Sequence, residues 1–132
     1  MATQGGTINN TSDIKIDGES NIGMFNTSKG TTPGTATNSG NITNSTATDK
    51  SLIGIYADSG TTTNGGTVNL KGTEVKGIVS NGSTASTSNT GTVSTNGTKA
   101  VSIAALSGTV TTTGTVNIEG TSGMGLYTGK SG

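Results

Sequence analysis

Histidine, cysteine and arginine are absent from this 132-residue chain, proline occurs once, and aromatic residues make up 2%. Without cysteine there is no disulfide, no thiol nucleophile and no thiolate metal site. Without histidine the commonest general base and a principal transition-metal ligand are missing too. The lack of arginine removes the planar fork that clamps phosphate or carboxylate. The seven cationic residues are all lysines, balanced by seven acidic ones, so the formal net charge is zero and a nucleic-acid binder's electrostatic footprint is missing. No apolar run approaches the length of a membrane-spanning helix. The opening Met1-Ala2-Thr3 lacks the basic and apolar regions of a signal peptide. These absences predict a chain that is not an enzyme, holds no cofactor or metal, binds no nucleic acid and does not itself enter a membrane.

What is there is polar and small. Thr, Ser, Asn and Gly supply 81 of the 132 residues, and hydrophobic residues only 27%. Such a composition usually means disorder. Two features oppose that here. Only 11% of residues are charged, so self-repulsion does not extend the chain, and the few apolar residues recur at regular intervals. The block Thr67–Val79, TVNLKGTEVKGIV, is the clearest copy of the recurring unit. Aligned on Gly23, Gly54, Gly77, Ser102 and Gly125, the copies are spaced 31, 23, 25 and 23 residues apart. A period near 23 with tolerated insertions predicts a β-solenoid.

The columns of this alignment predict three short strands per turn. Just after the anchor come Met24, Ile55, Ile78, Ile103 and Leu126, aliphatic in all five copies and the expected core column. A second strand carries Ile14, Ile42, Val68, Val93 and Val116, with Ile16, Asn44, Leu70, Thr95 and Ile118 two residues on, the same face at period two. Two residues before it stand Ser12, Gly40, Gly66, Gly91 and Gly114, a corner that excludes a Cβ. Four residues before it stand Asn10, Asn38, Asn64 and Asn89, with Thr112 in the fifth copy. Asn side chains stacked in register form a hydrogen-bonded ladder. The third strand alternates outward hydroxyls with Ile8, Ala36, Thr62, Thr87 and Val110 pointing in. Insertions fall at Lys29–Gly34, which holds Pro33, and within Ser45–Lys50, while Ser102 replaces the anchor glycine in the fourth copy; these are the places expected to be least rigid. The whole of 1–132 thus reads as one all-β segment, a parallel β-helix of about five turns of 23–25 residues with three short strands each. At about 4.8 Å per turn the rod would be roughly 20–25 Å tall, with open strand edges at both ends.

Candidate surface chemistry is sparse. Asp13, Asp17 and Glu19 cluster in the first turn beside Lys15, a pattern that suits calcium or an acid–base pair less well than a solvated surface. Asn-x-Ser/Thr triplets, as at Asn26 and Asn81, are expected by chance in such a composition. The aromatic column Phe25, Tyr56 and Tyr127 is a candidate contact surface for a protein or glycan. The outward pairs Thr35/Thr37, Thr61/Thr63 and Thr109/Thr111 resemble the threonine arrays of ice-binding β-helices, which makes ice binding the alternative function.

The phrases NIGMFNTSKG (21–30), LIGIYADSG (52–60), GIVSNGS (77–83) and GMGLYTG (123–129), alternating with GTVNLKGT and GTVNIEGT, carry a resemblance across nearly the whole chain. They resemble the repeated passenger regions of Gram-negative autotransporter adhesins, the type V secreted proteins. That resemblance implies a right-handed parallel β-helix displayed on the cell surface and tethered to the outer membrane by a C-terminal barrel, which this stretch does not contain. It implies adhesion to host cells or other bacteria, through an unidentified surface protein or glycan, and stacking against neighbouring turns of a longer parent chain. The absence of cysteine suits a chain that crosses an oxidising periplasm unfolded. The expectation is therefore a fragment of a larger passenger, with signal and anchor elsewhere.

Overall fold

β-Branched residues at alternate positions favour an extended backbone, and Gly, Asn and Ser between them break it into short pieces. The computed structural model describes residues 1–129, in which there are sixteen strands and no helix. Numbered along the chain, the first turn holds β1 (Ala2–Gln4), β2 (Thr7–Asn10) and β3 (Asp13–Lys15). The second holds β4 (Ile22–Thr27), β5 (Thr35–Asn38) and β6 (Asn41–Thr43), and the third β7 (Ile53–Ala57), β8 (Gly60–Asn64) and β9 (Thr67–Lys71). The fourth holds β10 (Lys76–Ser80), β11 (Ala85–Asn89) and β12 (Thr92–Asn96), and the fifth β13 (Val101–Ala105), β14 (Thr109–Thr112) and β15 (Thr115–Glu119); β16 (Met124–Thr128) opens a sixth.

Each strand pairs with its counterpart one turn away, always in parallel. The first sheet runs β1-β4-β7-β10-β13-β16, the second β2-β5-β8-β11-β14 and the third β3-β6-β9-β12-β15. The expected five-turn solenoid with three strands per turn is the fold observed. One strand was not expected: β1, whose Ala2 pairs with Phe25 and whose Thr3 points inward, gives the first sheet its sixth member. No aliphatic residue marks that segment, so the apolar period passes over it.

The register follows the sequence columns. Met24, Ile55, Ile78 and Ile103 pair in succession and are all but fully buried. Ile14, Ile42, Val68, Val93 and Val116 pair likewise in the third sheet, and the middle three are completely buried. Burying each such side chain contributes about 1.5–3 kcal/mol, so a few per turn suffice for a composition this polar. Leu126 corrects the core column. It pairs with Ile103 as its position demands, yet it is 62% exposed, because among the described residues no further turn covers it.

The corners are tight. A Cβ on Gly77 would strike the Val93 side chain and, at 2.5 Å, the carbonyl of Ser102 in the next turn. In the fifth turn Ser102 does stand at the anchor position, fully buried; its hydroxyl lies 2.9 Å from Thr95 Oγ1 and donates to the Asn117 carbonyl at 2.6 Å. The position expected to be loose is thus held by a satisfied polar pair. Three residues before each anchor, Ser20, Ser51, Glu74, Lys99 and Ser122 all adopt left-handed torsions, with φ between 53° and 60°. None is glycine, and a left-handed residue with a Cβ costs about 1 kcal/mol.

Of the two insertions, the first leaves the stack: Lys29 and Thr32 pair their backbones in a small antiparallel turn, and Pro33 is exposed between β4 and β5. The second, after β6, is tied down. Asn44 donates to the Asp49 carboxylate at 2.7 Å and to the carbonyls of Thr46 and Lys71, both at 2.8 Å, and Gly18 N–H donates to Asp49 Oδ1 at 3.0 Å. Those bonds oppose the looseness expected of it. No helix among the described residues is long and apolar enough to cross a membrane.

Candidate functional site: three outward faces

Alternation turns every second side chain of each strand outward, so the three sheets present three surfaces. That of the first sheet is largely apolar, interrupted by Lys76 between Ile53 and Val101. Its central column runs Phe25, Tyr56, Val79, Ala104 and Tyr127 in paired register. Phe25 and Tyr56 stack, with ring centroids 5.6 Å apart and planes 18° from parallel. The three aromatics are not one contact, however. Val79 and Ala104 intervene and are buried, packed with Val101 against Ile53, Tyr56 and Leu106, while Tyr127 stands apart at the end of the stack, 42% exposed. The outside of this sheet is a second, smaller core, which the period-two pattern could not reveal.

The second sheet presents hydroxyls. Thr35 pairs with Thr61, and Thr37 with Thr63, so two complete Thr-x-Thr rows lie side by side. Ser86 and Ser88 of the fourth turn separate them from Thr109 and Thr111. The third sheet presents Asn, Thr and scattered charge. Asn41 donates to Asp13 at 2.7 Å, the Ser45 N–H and hydroxyl both donate to the Asp17 carboxylate, and Glu19 pairs its backbone with Lys50. The first-turn acids are thus spread along surface bonds, and no group of three acidic residues capable of holding a metal exists among the described residues. Lys15 and Asp17 lie 3.8 Å apart and exposed, a pair of little energetic weight.

Behind the hydroxyl face the Asn side chains form a continuous buried ladder. Asn10 donates to Asn38, Asn38 to Asn64 and Asn64 to Asn89, each at 2.7 Å, and Asn89 donates to the Thr112 hydroxyl at 3.0 Å. Every amide points the same way along the axis. Two further polar side chains lie inside, Asn26, marked in the sequence only by its Asn-x-Ser/Thr triplet, and Thr87, at its expected inward position. Asn26 donates to the Thr61 carbonyl and Thr62 hydroxyl, and Thr87 Oγ1 is buried without a partner. The Asp49 carboxyl has a lowered proton affinity. The Asn44 amide first, and the Gly18 N–H second, hold it below the usual carboxylate range, against a smaller opposing effect of burial.

No family model, curated protein or solved structure matches this chain.

Proposed function

We propose that this chain is a rod segment of a bacterial cell-surface passenger protein, a spacer that also lends contact surface for binding a host or bacterial cell. The observation that carries the reading is the difference between its faces: two are covered by hydroxyls, amides and scattered charges, and one bears the stacked Phe25–Tyr56 pair on an apolar strip. Aromatic rings held rigid on a sheet give a protein or glycan partner a large contact area with little left to order. The repeated phrases, through the family they resemble, supply the extracellular setting and the outer-membrane tether. The test is binding of the purified chain to host epithelial and bacterial cells, with a variant carrying Phe25→Ala and Tyr56→Ala. Binding that falls at least about tenfold in the variant, with the β circular-dichroism spectrum unchanged, supports the reading. Equal binding by both rejects the aromatic pair as the contact.

Ice binding is the second reading, favoured by the adjacent rows Thr35/Thr37 and Thr61/Thr63 and opposed by the serines of the fourth turn. Thermal hysteresis in a solution of the chain supports it, and freezing at the colligative point rejects it.

A further inference from the structure

Asparagine followed by glycine occurs three times, at Asn64-Gly65, Asn81-Gly82 and Asn96-Gly97. Such a pair is open to an internal reaction, because glycine has no Cβ to keep its backbone nitrogen from reaching the preceding side-chain amide. The fold treats the three pairs differently. Asn64 has no exposed surface and its amide is held in the ladder between Asn38 and Asn89, while Gly65 N–H donates to the Asn38 carbonyl at 2.8 Å. Asn96 is exposed, yet its side chain donates to Glu119 Oε2 at 2.8 Å and Gly97 N–H to the Glu119 carbonyl at 3.0 Å. The one Asp-Gly pair, Asp17-Gly18, is tied in the same manner, Gly18 N–H donating to Asp49 at 3.0 Å. Asn81-Gly82 lies between β10 and β11, half-buried. Neither the Asn81 side chain nor the Gly82 N–H has a hydrogen-bond partner among the described residues.

We propose that Asn81-Gly82 is a site of spontaneous covalent modification, at which the chain's own backbone converts Asn81 to aspartate and isoaspartate. The Gly82 nitrogen gives up its proton to hydroxide and attacks Asn81 Cγ. The new N–Cγ bond closes a five-membered imide as Nδ2 leaves as ammonia. Water then opens the ring. Attack at Cγ breaks the new bond and leaves aspartate, whereas attack at the main-chain carbonyl breaks the original peptide bond and leaves a backbone running through Cγ, which is isoaspartate. Water is the only co-reactant. The stack itself demands the glycine, since a Cβ on Gly82 would run into the Asp58 carbonyl of the neighbouring turn. Asn81 N–H donates to the Ala57 carbonyl at 2.8 Å, and Ser80 pairs with Ala57, so Asn81 follows the register beside Asp58. Either product therefore sets a second carboxylate next to Asp58, and like charges opposite one another in a sheet are destabilising. Isoaspartate also adds a backbone carbon to a corner that has no room to spare. The modification loosens the third turn from the fourth.

The test ages the intact chain in warm, mildly alkaline buffer, beside a sample unfolded in urea, and reads both by tryptic digestion and fragment mass spectrometry that separates aspartate from isoaspartate. Cleavage after lysine places Asn81 and Asn96 in one peptide, 77–99, and Asn64 in another, 51–71, so each sample carries its own controls. In urea the three sites are expected to react at similar rates. In the folded chain Asn81 is expected to keep most of its unfolded rate and to react at least about tenfold faster than Asn64 or Asn96, whose hydrogen bonds must open first. The aged chain is expected to unfold at a lower urea concentration than the fresh one. Asn81→Gln, whose longer side chain would have to close a less favourable six-membered ring, is expected to lose both the products and that shift. Folding that slows Asn81 as much as Asn64, or Asn96 reacting as fast as Asn81, would overturn the proposal. So would ageing that lowers the stability of Asn81→Gln as much as that of the unaltered chain. None of these readouts depends on cell binding.

Discussion

The side-chain amide of Asn38 donates to the side-chain oxygen of Asn64 at 2.7 Å, and both residues have no exposed surface. Asn64 passes the bond on to Asn89. Replacing Asn64 with Ala therefore removes the side-chain partner of a buried donor on Asn38 and of a buried acceptor on Asn89. With each buried unsatisfied group costing about 1–3 kcal/mol, Asn64→Ala should lower the stability read from urea unfolding by about 3 kcal/mol. Asn41→Ala, which removes only an exposed bond to Asp13, should change it by less than about 0.5 kcal/mol. Equal effects of the two would refute the ladder's structural role.

Thr87 gives the opposite sign. Its hydroxyl is buried and unpaired, and the next residue in its column is Val110. Thr87→Val removes the desolvated oxygen at almost constant volume, so the midpoint of urea unfolding should rise, by an amount corresponding to about 1 kcal/mol. A loss of stability would mean that the hydroxyl has a partner, such as water.

The left-handed corner makes a third test. Ser51 has φ 53° and Ser122 φ 56°. Glycine adopts these torsions without the Cβ clash, offset in part by its greater freedom when unfolded. Ser51→Gly should stabilise by roughly 0.5–1 kcal/mol, whereas Ser86→Gly, in a strand, should destabilise by a similar amount. A melting series of the two variants checks the pair of signs.

Asp49 ties stability to acid. Its carboxyl titrates lower folded than unfolded because Asn44 and Gly18 bind the charged form. Its contribution is thus complete above the unfolded value, near 3.8, and is lost as pH falls through the lower folded one. Asp49→Asn should reduce stability at pH 7 and flatten its decline below pH about 4. Parallel pH–stability curves for the two proteins would show that Asp49 contributes nothing to the acid response.

How much of this could be read from the residues depended on repetition. In-register stacking imposes one inward requirement at the same place in every turn, so Ile55, Ile78 and Ile103 announced their column, and Gly66, Gly91 and Gly114 theirs. Burial is another matter. It depends on what lies beyond, so Leu126 belonged to the column without being covered. Val79 and Ala104 alternate as outward residues should, and packing with Val101, Ile53, Tyr56 and Leu106 on the outside of the sheet buries them. The left-handed corner left no mark, since Ser, Glu and Lys carry no signature of positive φ. The Asp49 network sits in an insertion that occurs once, with no second copy to compare.

The unequal spacing of the anchors has a mechanical consequence. Each turn bonds only to its neighbours, so a pull on the two ends peels turns away singly while the remainder keeps its register. A turn of 23 residues releases about 75 Å of contour as it leaves the stack, and the second turn, lengthened to 31, about 100 Å. The insertions that interrupt the period thereby become a length code, legible as uneven steps in a force–extension trace.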